Sequence, residues 1–126
     1  MVVRMDNQPH DSVKIEVIQG GRYRNEDNGF PPIPQETTEM TGIKHLNGTL
    51  SMARSSPASA TSEFFICIGD QPELDFGGKR NPDGQGFAAF GSVIKGIDVV
   101  RKIHSIIAPG QYLDRPVVIY NIRRSQ

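Results

Sequence analysis

The sequence is short of several residue types, and each shortage excludes a class of protein. Its 126 residues include no tryptophan and one cysteine, Cys67, so no disulfide can form within the chain. The 14 basic and 14 acidic residues balance, which gives no electrostatic reason to expect nucleic acid or a membrane as partner. No apolar run approaches the roughly 20 residues that a membrane-spanning helix needs. Residues 1–8 lack a signal-peptide core, so we expect a soluble domain whose compartment stays open.

The residues themselves indicate neither metal nor covalent chemistry. His10, His45 and His104 lie far apart in the sequence, whereas zinc ligands usually occur as close pairs. Cys67 lies in an apolar run and is predicted to be an inert, buried thiol. The serines of residues 51–62 do not form a nucleophile-elbow motif. We therefore expect no metal and no cofactor.

The composition favours one loop-rich β domain spanning residues 1–126. Its 13 glycines and 9 prolines would interrupt a helix bundle. Residues 22–47 and 69–86 are polar and rich in these two types, so they predict long, ordered loops. Alternating or apolar patterns predict five strands, at residues 13–19, 49–53, 63–68, 88–94 and 117–122. Apolar residues at helical spacing predict one helix over residues 96–105, and together these elements indicate an antiparallel barrel or sandwich.

One stretch, residues 50–68 with the sequence LSMARSSPASATSEFFICI, closely resembles the signature segment of the cyclophilins. The segments IQGG at 18–21 and AFGSV at 89–93 resemble further motifs of that family, in the family's order. The resemblance extends over about residues 13–122. It implies a mainly β fold, the eight-stranded antiparallel barrel of the cyclophilins, and the activity of a peptidyl-prolyl cis–trans isomerase.

The resemblance also implies that this barrel is incomplete at its N-terminus. The family's first two strands, its first helix and its catalytic arginine would precede residue 1. That arginine belongs to a Phe-x-Arg motif followed by two branched residues. Val2 and Val3 match the branched pair, and Met1 falls where the arginine is expected. The chain is then a fragment, or its start was assigned too late, or it is a degenerate relative. Arg4 is the nearest candidate to replace the missing arginine, but we favour its interpretation as an ordinary surface residue.

A proline-binding site of seven residues follows from the same resemblance. Phe65 matches the phenylalanine at the base of the proline pocket, and Gln19 matches the glutamine that hydrogen-bonds the substrate backbone. These two are the predicted catalytic residues. The predicted substrate-binding residues are the apolar walls Val17, Leu74 and Phe87, with Ala53 and Arg54, whose backbone would pair with an extended peptide. The implied partners are proline-containing peptides and unfolded or client proteins.

Four positions depart from the family's pattern. Glu16 falls where an aromatic pocket residue is usual, and Glu63 replaces a common glutamine. Glu73 falls where many members carry the tryptophan that favours cyclosporin, so weak sensitivity to that drug is expected. Phe87 falls where a histidine is frequent, and it would compensate by supplying an apolar wall.

Three functional hypotheses follow from these observations. The chain acts as an isomerase that lowers the barrier to rotation about X–Pro bonds, or it binds proline peptides without catalysis, or it is an inactive fragment. The first needs a hydrogen-bond donor aimed at the prolyl nitrogen, whereas the second needs only the pocket. A fragment would expose unpaired strand edges, so it would be less stable than a full barrel or would self-associate.

Overall fold

The computed structural model describes residues 2–4, 7–22, 30–108 and 110–125. The strands are β1 Val2–Arg4, β2 Val17–Gly20, β3 Thr49–Met52, β4 Phe64–Cys67 and β5 Ala88–Ser92. The helices are α1 Thr38–Thr41 and α2 Ile97–His104, and a single 3₁₀ turn spans Pro72–Leu74. The predicted helix over residues 96–105 is thereby confirmed, as is the mainly β composition. Across the described ranges, no helix has the length and apolar character needed to cross a membrane.

The five strands form one antiparallel sheet with the order β1-β2-β4-β3-β5. A register shift between Leu50 and Ser51 marks a bulge in β3 where it pairs with β5. Within the described ranges no pairing joins β5 back to β1, so the sheet stays open there. This arrangement agrees with the expected cyclophilin-like barrel in an incomplete form.

The register of the central strands divides their side chains between two faces of the sheet. Gln19 lies opposite Phe65, and Ile18 lies opposite Ile66, in the pairing of β2 with β4. Neighbouring residues of a strand point to opposite faces, so Gln19 and Phe65 share one face and Ile18 and Ile66 the other. The second face is covered by α2, whose Val100 packs against Ile18. The first face is left for the cleft described below.

Helix α1 lies inside the segment 22–47 that the sequence predicted to be a loop. Its ends explain why so short a helix forms there. The hydroxyl oxygen of Thr37 accepts a hydrogen bond from the Met40 N–H, which caps the first turn. Gly42 ends the helix with a φ of 75°, a left-handed conformation that suits glycine.

The first predicted strand is shorter than expected, because β2 begins at Val17 and not at residue 13. The side chain of Asn7 takes the place of a neighbouring strand beside Ile15. Its amide nitrogen donates to the Ile15 carbonyl, and its amide oxygen accepts from the Ile15 N–H, both at 2.9 Å. The backbone there is satisfied by one side chain, so Ile15 does not join the sheet ladder.

The predicted final strand over residues 117–122 is wrong. Only Val117 forms an isolated bridge, and residues 118–125 adopt no regular structure. Val118, Tyr120 and Ile122 expose 57%, 92% and 76% of their surface. Alternating apolar residues stabilise a strand only when a neighbouring strand pairs with it and a core covers them, and no described strand does so here.

Burial predicts very different effects for two isoleucine truncations. Ile18 is 2% exposed in the core between β2 and α2, whereas Ile94 is 98% exposed. We expect Ile18→Ala to lower the free energy of unfolding by about 2–5 kcal/mol through lost burial and a residual cavity. The matched control Ile94→Ala should change it by no more than about 0.5 kcal/mol. Urea unfolding measures both, and similar losses would contradict the assignment of this core.

Candidate functional site

A cleft of about 290 Å³ opens on the sheet face that carries Gln19 and Phe65. It is the place where the structure puts all seven residues that the sequence suggested for proline binding. They come from two strands, β2 and β4, from the 3₁₀ turn and from the loops that follow β3 and precede β5: Val17, Gln19, Ala53, Arg54, Phe65, Leu74 and Phe87. The structure therefore brings these side chains together, while the role of each stays a prediction.

The floor of the cleft is apolar and closely packed. Phe65 and Leu74, with 3% and 0% of their surface exposed, form a buried cluster with Val17, Ile15 and Cys67. Phe65 projects from the middle strand β4, with β2 on one side and β3 on the other, so both neighbouring strands fix its backbone. Burial raises the pKa of the Cys67 thiol to about 12, which keeps this thiol protonated and inert.

Phe87 adds an aromatic wall at a right angle to the floor. Its ring meets the Phe65 ring edge to face, with centroids 5.2 Å apart and planes at 87°. The Phe87 N–H donates to the Leu74 carbonyl at 3.0 Å, which ties the wall to the floor through the backbone. The two rings and Leu74 thus enclose an apolar corner.

A buried hydrogen-bond chain supports Phe65 from behind. The His45 ring stacks on Phe65 at 6.0 Å, and its two nitrogens lie 2.8 Å from Asp75 Oδ1 and from Ser51 Oγ. An ionised carboxylate can only accept, so Nδ1 carries the proton that is donated to Asp75, and Nε2 accepts from the Ser51 hydroxyl. The arrangement resembles a hydrolase triad, but Ser51 and His45 are 0% and 1% exposed. No substrate can reach this serine. The hydrogen bonds that join His45 to Asp75 and to Ser51 therefore serve to position Phe65.

The same burial sets the protonation state of His45. Desolvation lowers its pKa below the usual 6.5, and this effect outweighs the hydrogen bond and the charge of Asp75, which raise it. The neutral imidazole is therefore the form that the folded core accommodates. It is also the form whose Nε2 accepts a hydrogen bond from the Ser51 hydroxyl, so both hydrogen bonds of the His45 ring are present when His45 is uncharged.

The rim of the cleft includes polar residues that sequence reasoning missed. The Arg80 guanidinium lies 3.1 Å from the Asp11 carboxylate and also donates to Asn7 and to the Val13 carbonyl. Ile15, on the apolar floor of the cleft, was also missed. It could have been predicted as a lining residue, because it continues the alternation of Val17 and Gln19. No sequence signal marked Arg80, since its partners lie more than 65 residues away in the chain. Three further rim residues are Gln8, His10 and Gln111.

One of the positions that depart from the family's pattern, Glu73, has a structural role away from the cleft. The Glu73 carboxylate accepts the Lys79 N–H at 3.0 Å and stabilises the adjoining loop; Glu73 does not line the cleft. Met1, which falls where an arginine is expected, lies outside the described residues. For its neighbours only the backbone is described, and Val3 pairs opposite Gln19 in the sheet.

The family model of the cyclophilin type peptidyl-prolyl cis-trans isomerases matches residues 6–124, nearly the whole chain. The chain belongs to the cyclophilin family. This match confirms the resemblance that the motifs at 50–68, 18–21 and 89–93 suggested.

Several relatives of the cyclophilin family align with most of the chain. Peptidyl-prolyl cis-trans isomerase A of Dickeya dadantii is 35% identical over 85% of this chain and 58% of its own length. A peptidyl-prolyl cis-trans isomerase of Acinetobacter baylyi is 43% identical over 77% of this chain and 50% of its own length. Peptidyl-prolyl cis-trans isomerase B of Escherichia coli is 35% identical over 93% of this chain and 75% of its own length. The chain therefore spans between half and three quarters of these relatives.

The pKa of His45 predicts a loss of stability on acidification. The unfolded chain takes up a proton at His45 near pH 6.5, whereas the folded protein does so only at a lower pH. The stabilising contribution is thus complete above pH 6.5 and is lost as the pH falls from 6.5 through the folded-state pKa. We expect urea unfolding at pH 8, 7, 6 and 5 to show this decline.

His45→Gln is the control for this prediction, because glutamine can still bond Asp75 and Ser51 but does not titrate. The variant should lose less stability than the wild-type protein between pH 7 and pH 5. Equal losses in the two proteins would show that another group carries the effect.

Proposed function

We propose that this chain forms the proline-binding site of a peptidyl-prolyl cis–trans isomerase and takes part in rotation about X–Pro bonds in protein substrates. One observation carries the proposal: Phe65, Leu74, Val17 and Phe87 enclose an apolar corner, and Gln19 stands at its polar rim. A prolyl ring is a compact apolar group that fits such a corner. The names of the relatives support the same activity.

The chemistry needs neither a nucleophile nor a metal. Amide resonance holds the X–Pro bond planar, with a rotation barrier of about 20 kcal/mol. An enzyme lowers this barrier by gripping the ring while it stabilises the twisted bond, in which the nitrogen regains a lone pair. Burial of the ring against Phe65 and Leu74 would supply the grip. The amide of Gln19, which is partly exposed on β2, would hydrogen-bond the substrate backbone beside the turning bond.

The backbone next to the cleft would align the peptide. The Ala53 N–H already donates to the Glu63 carbonyl at 3.0 Å, which continues the pairing of β3 with β4. The N–H and C=O of one residue in extended backbone point to the same side, so a bound peptide would pair as an added strand with the backbone of the next residue, Arg54, and not with the groups of Ala53 that face β4. Contacts of this kind depend little on the substrate's side chains, so they suit a protein that acts on many proline-containing segments.

A second candidate function is a proline-peptide binding module without catalysis. The observation that favours it concerns the two arginines of the described cleft. Arg54 is paired with Asp83 at 2.7 Å and Arg80 with Asp11 at 3.1 Å, so neither guanidinium is dedicated to a prolyl nitrogen. Catalysis would then depend on another hydrogen-bond donor, either at the rim of the cleft or outside the described residues.

Two measurements on one Ala-Pro peptide separate these candidates. A protease-coupled assay reports acceleration of isomerisation, and an NMR titration reports binding. Acceleration by the chain supports the isomerase, whereas binding without acceleration supports the module. The absence of both would overturn the proposed function.

The neighbouring phenylalanines Phe65 and Phe64 offer a matched pair of variants. Phe65→Ala should weaken kcat/KM, or peptide binding, by about 30-fold or more, because it removes the aromatic anchor of the cleft. Phe64 lies on the opposite face of β4 and lines a different cavity, so Phe64→Ala should leave the proline site intact. Circular dichroism checks that both variants fold. Equal losses in the two folded variants would contradict the assignment of the cleft.

A further inference from the structure

Arg54 has a charged side chain that is almost completely buried, while the residue as a whole is partly exposed. Its side chain, only 2% exposed, leaves the end of β3 and turns toward the loop that precedes β5. Two of its nitrogens bond the two carboxylate oxygens of Asp83, at 2.7 and 3.0 Å. This bidentate contact lowers the pKa of Asp83 and keeps it ionised, so the buried guanidinium is charge-compensated.

The same guanidinium also holds the backbone next to Phe87. Arg54 Nε and a terminal nitrogen donate to the Gly86 carbonyl at 3.1 and 2.6 Å. The side-chain amides of Gln35 and Asn81 donate to the same oxygen, at 2.9 and 3.4 Å. Three side chains thus converge on one carbonyl immediately before the aromatic wall of the cleft: Gln35 and Arg54 come from distant parts of the chain, and Asn81 from the same loop.

The fit around Gly86 leaves the loop little freedom. Gly86 has a φ of +65°, and a Cβ at this position would lie 2.4 Å from the Leu74 carbonyl oxygen. The loop backbone is therefore pressed against the residue that forms the cleft floor. The Arg54 guanidinium also lies over the Phe87 ring, 5.2 Å from its centroid, and the same ring is in edge-to-face contact with Phe65. A cation over an aromatic face is attractive and adds to the hold on this ring.

We infer that Arg54 is a positioning residue: it clamps Asp83 and the Gly86 carbonyl, fixes Phe87 against Phe65, and so sets the affinity of the cleft for proline segments. The inference rests on the proposed function, in which Phe87 contacts the substrate. It assigns to the Arg54 side chain a role that the resemblance did not, since that resemblance used only the Arg54 backbone. The planar, five-donor guanidinium is needed, because a lysine has one point charge and cannot satisfy both acceptors with this geometry.

A double-mutant cycle with Arg54→Lys and Phe87→Ala tests the inference. If Arg54 acts through Phe87, Arg54→Lys raises the Kd for an Ala-Pro peptide about 10-fold when Phe87 is present. In the Phe87→Ala background the same change should have almost no further effect. Any isomerase activity should show a raised KM with kcat nearly unchanged, because a positioned wall supports binding of both bond isomers. Independent effects that multiply, or a fall in kcat as large as that in kcat/KM, would overturn the inference.

Two further variants sharpen the cycle. Asp83→Asn keeps the shape of the carboxylate partner but removes its charge, so it should raise Kd only about 2–5-fold, since Arg54 still bonds the Gly86 carbonyl. Arg101→Lys is the control, because Arg101 lies exposed on α2, away from the cleft. It should leave Kd unchanged. A Kd that shifts equally with Arg101→Lys would show a general effect of arginine replacement and overturn the inference.

Hydrogen exchange separates failure of this inference from failure of the proposed function. Arg54→Lys should speed exchange of the Phe87 amide, which bonds the Leu74 carbonyl, and leave the amide of Phe65 in the central strand protected. Unchanged exchange at Phe87 overturns the inference whatever the protein binds. Absence of both peptide binding and acceleration by the wild-type protein overturns the proposed function, and with it the role of Arg54 in affinity, even if the exchange at Phe87 responds.

Discussion

The cleft depends on the antiparallel register of β2, β4 and β3. That register sets Gln19, Phe65 and Ser51 side by side across three strands, all on one face of the sheet. A slip of one residue in β4 would present Phe64 and Ile66 to the cleft and turn Phe65 toward α2. Because Ile18 and Ile66 are packed against α2 on the other face, such a slip would also remove the core. The packing of that core thus protects the geometry of the site.

Polar contacts hold the apolar parts of the site where the strands end. Asp75 holds His45 behind Phe65, and Arg54 holds the Gly86 carbonyl before Phe87. On the rim, Arg80 joins the segment around Asp11 to the loop between the 3₁₀ turn and β5. The strands are only three to five residues long, so much of the cleft is built from loop backbone. Partly buried, charge-assisted hydrogen bonds give this backbone the rigidity that a longer ladder would otherwise supply.

Local patterns predicted the elements, and long-range contacts decided where they end. The apolar run at 63–68 and the helical spacing at 96–105 predicted the ends of β4 and α2 to within two residues. Both predictions depend on the pattern of apolar residues along a short segment, which the sequence shows directly. The start of β2 depended on Asn7, a side chain eight residues from its partner, and no pattern shows that contact. The segment 117–122 has the alternation of a strand without a partner among the described residues. The candidate site came from motif resemblance, which does not reveal supporting ion pairs such as that of Arg54 with Asp83.

The floor and the rim of the cleft would contribute differently to the proposed reaction. A prolyl ring keeps its shape while the preceding bond turns, so Phe65 and Leu74 would bind the cis, trans and twisted states about equally. Uniform binding of this kind lowers KM but does not raise kcat. Only groups that contact the atoms that move, the carbonyl before the proline and the prolyl nitrogen, can favour the twisted state. In the described cleft Gln19 is the best-placed residue for the backbone of a substrate, so the rim, and not the well-packed floor, would decide whether binding becomes catalysis.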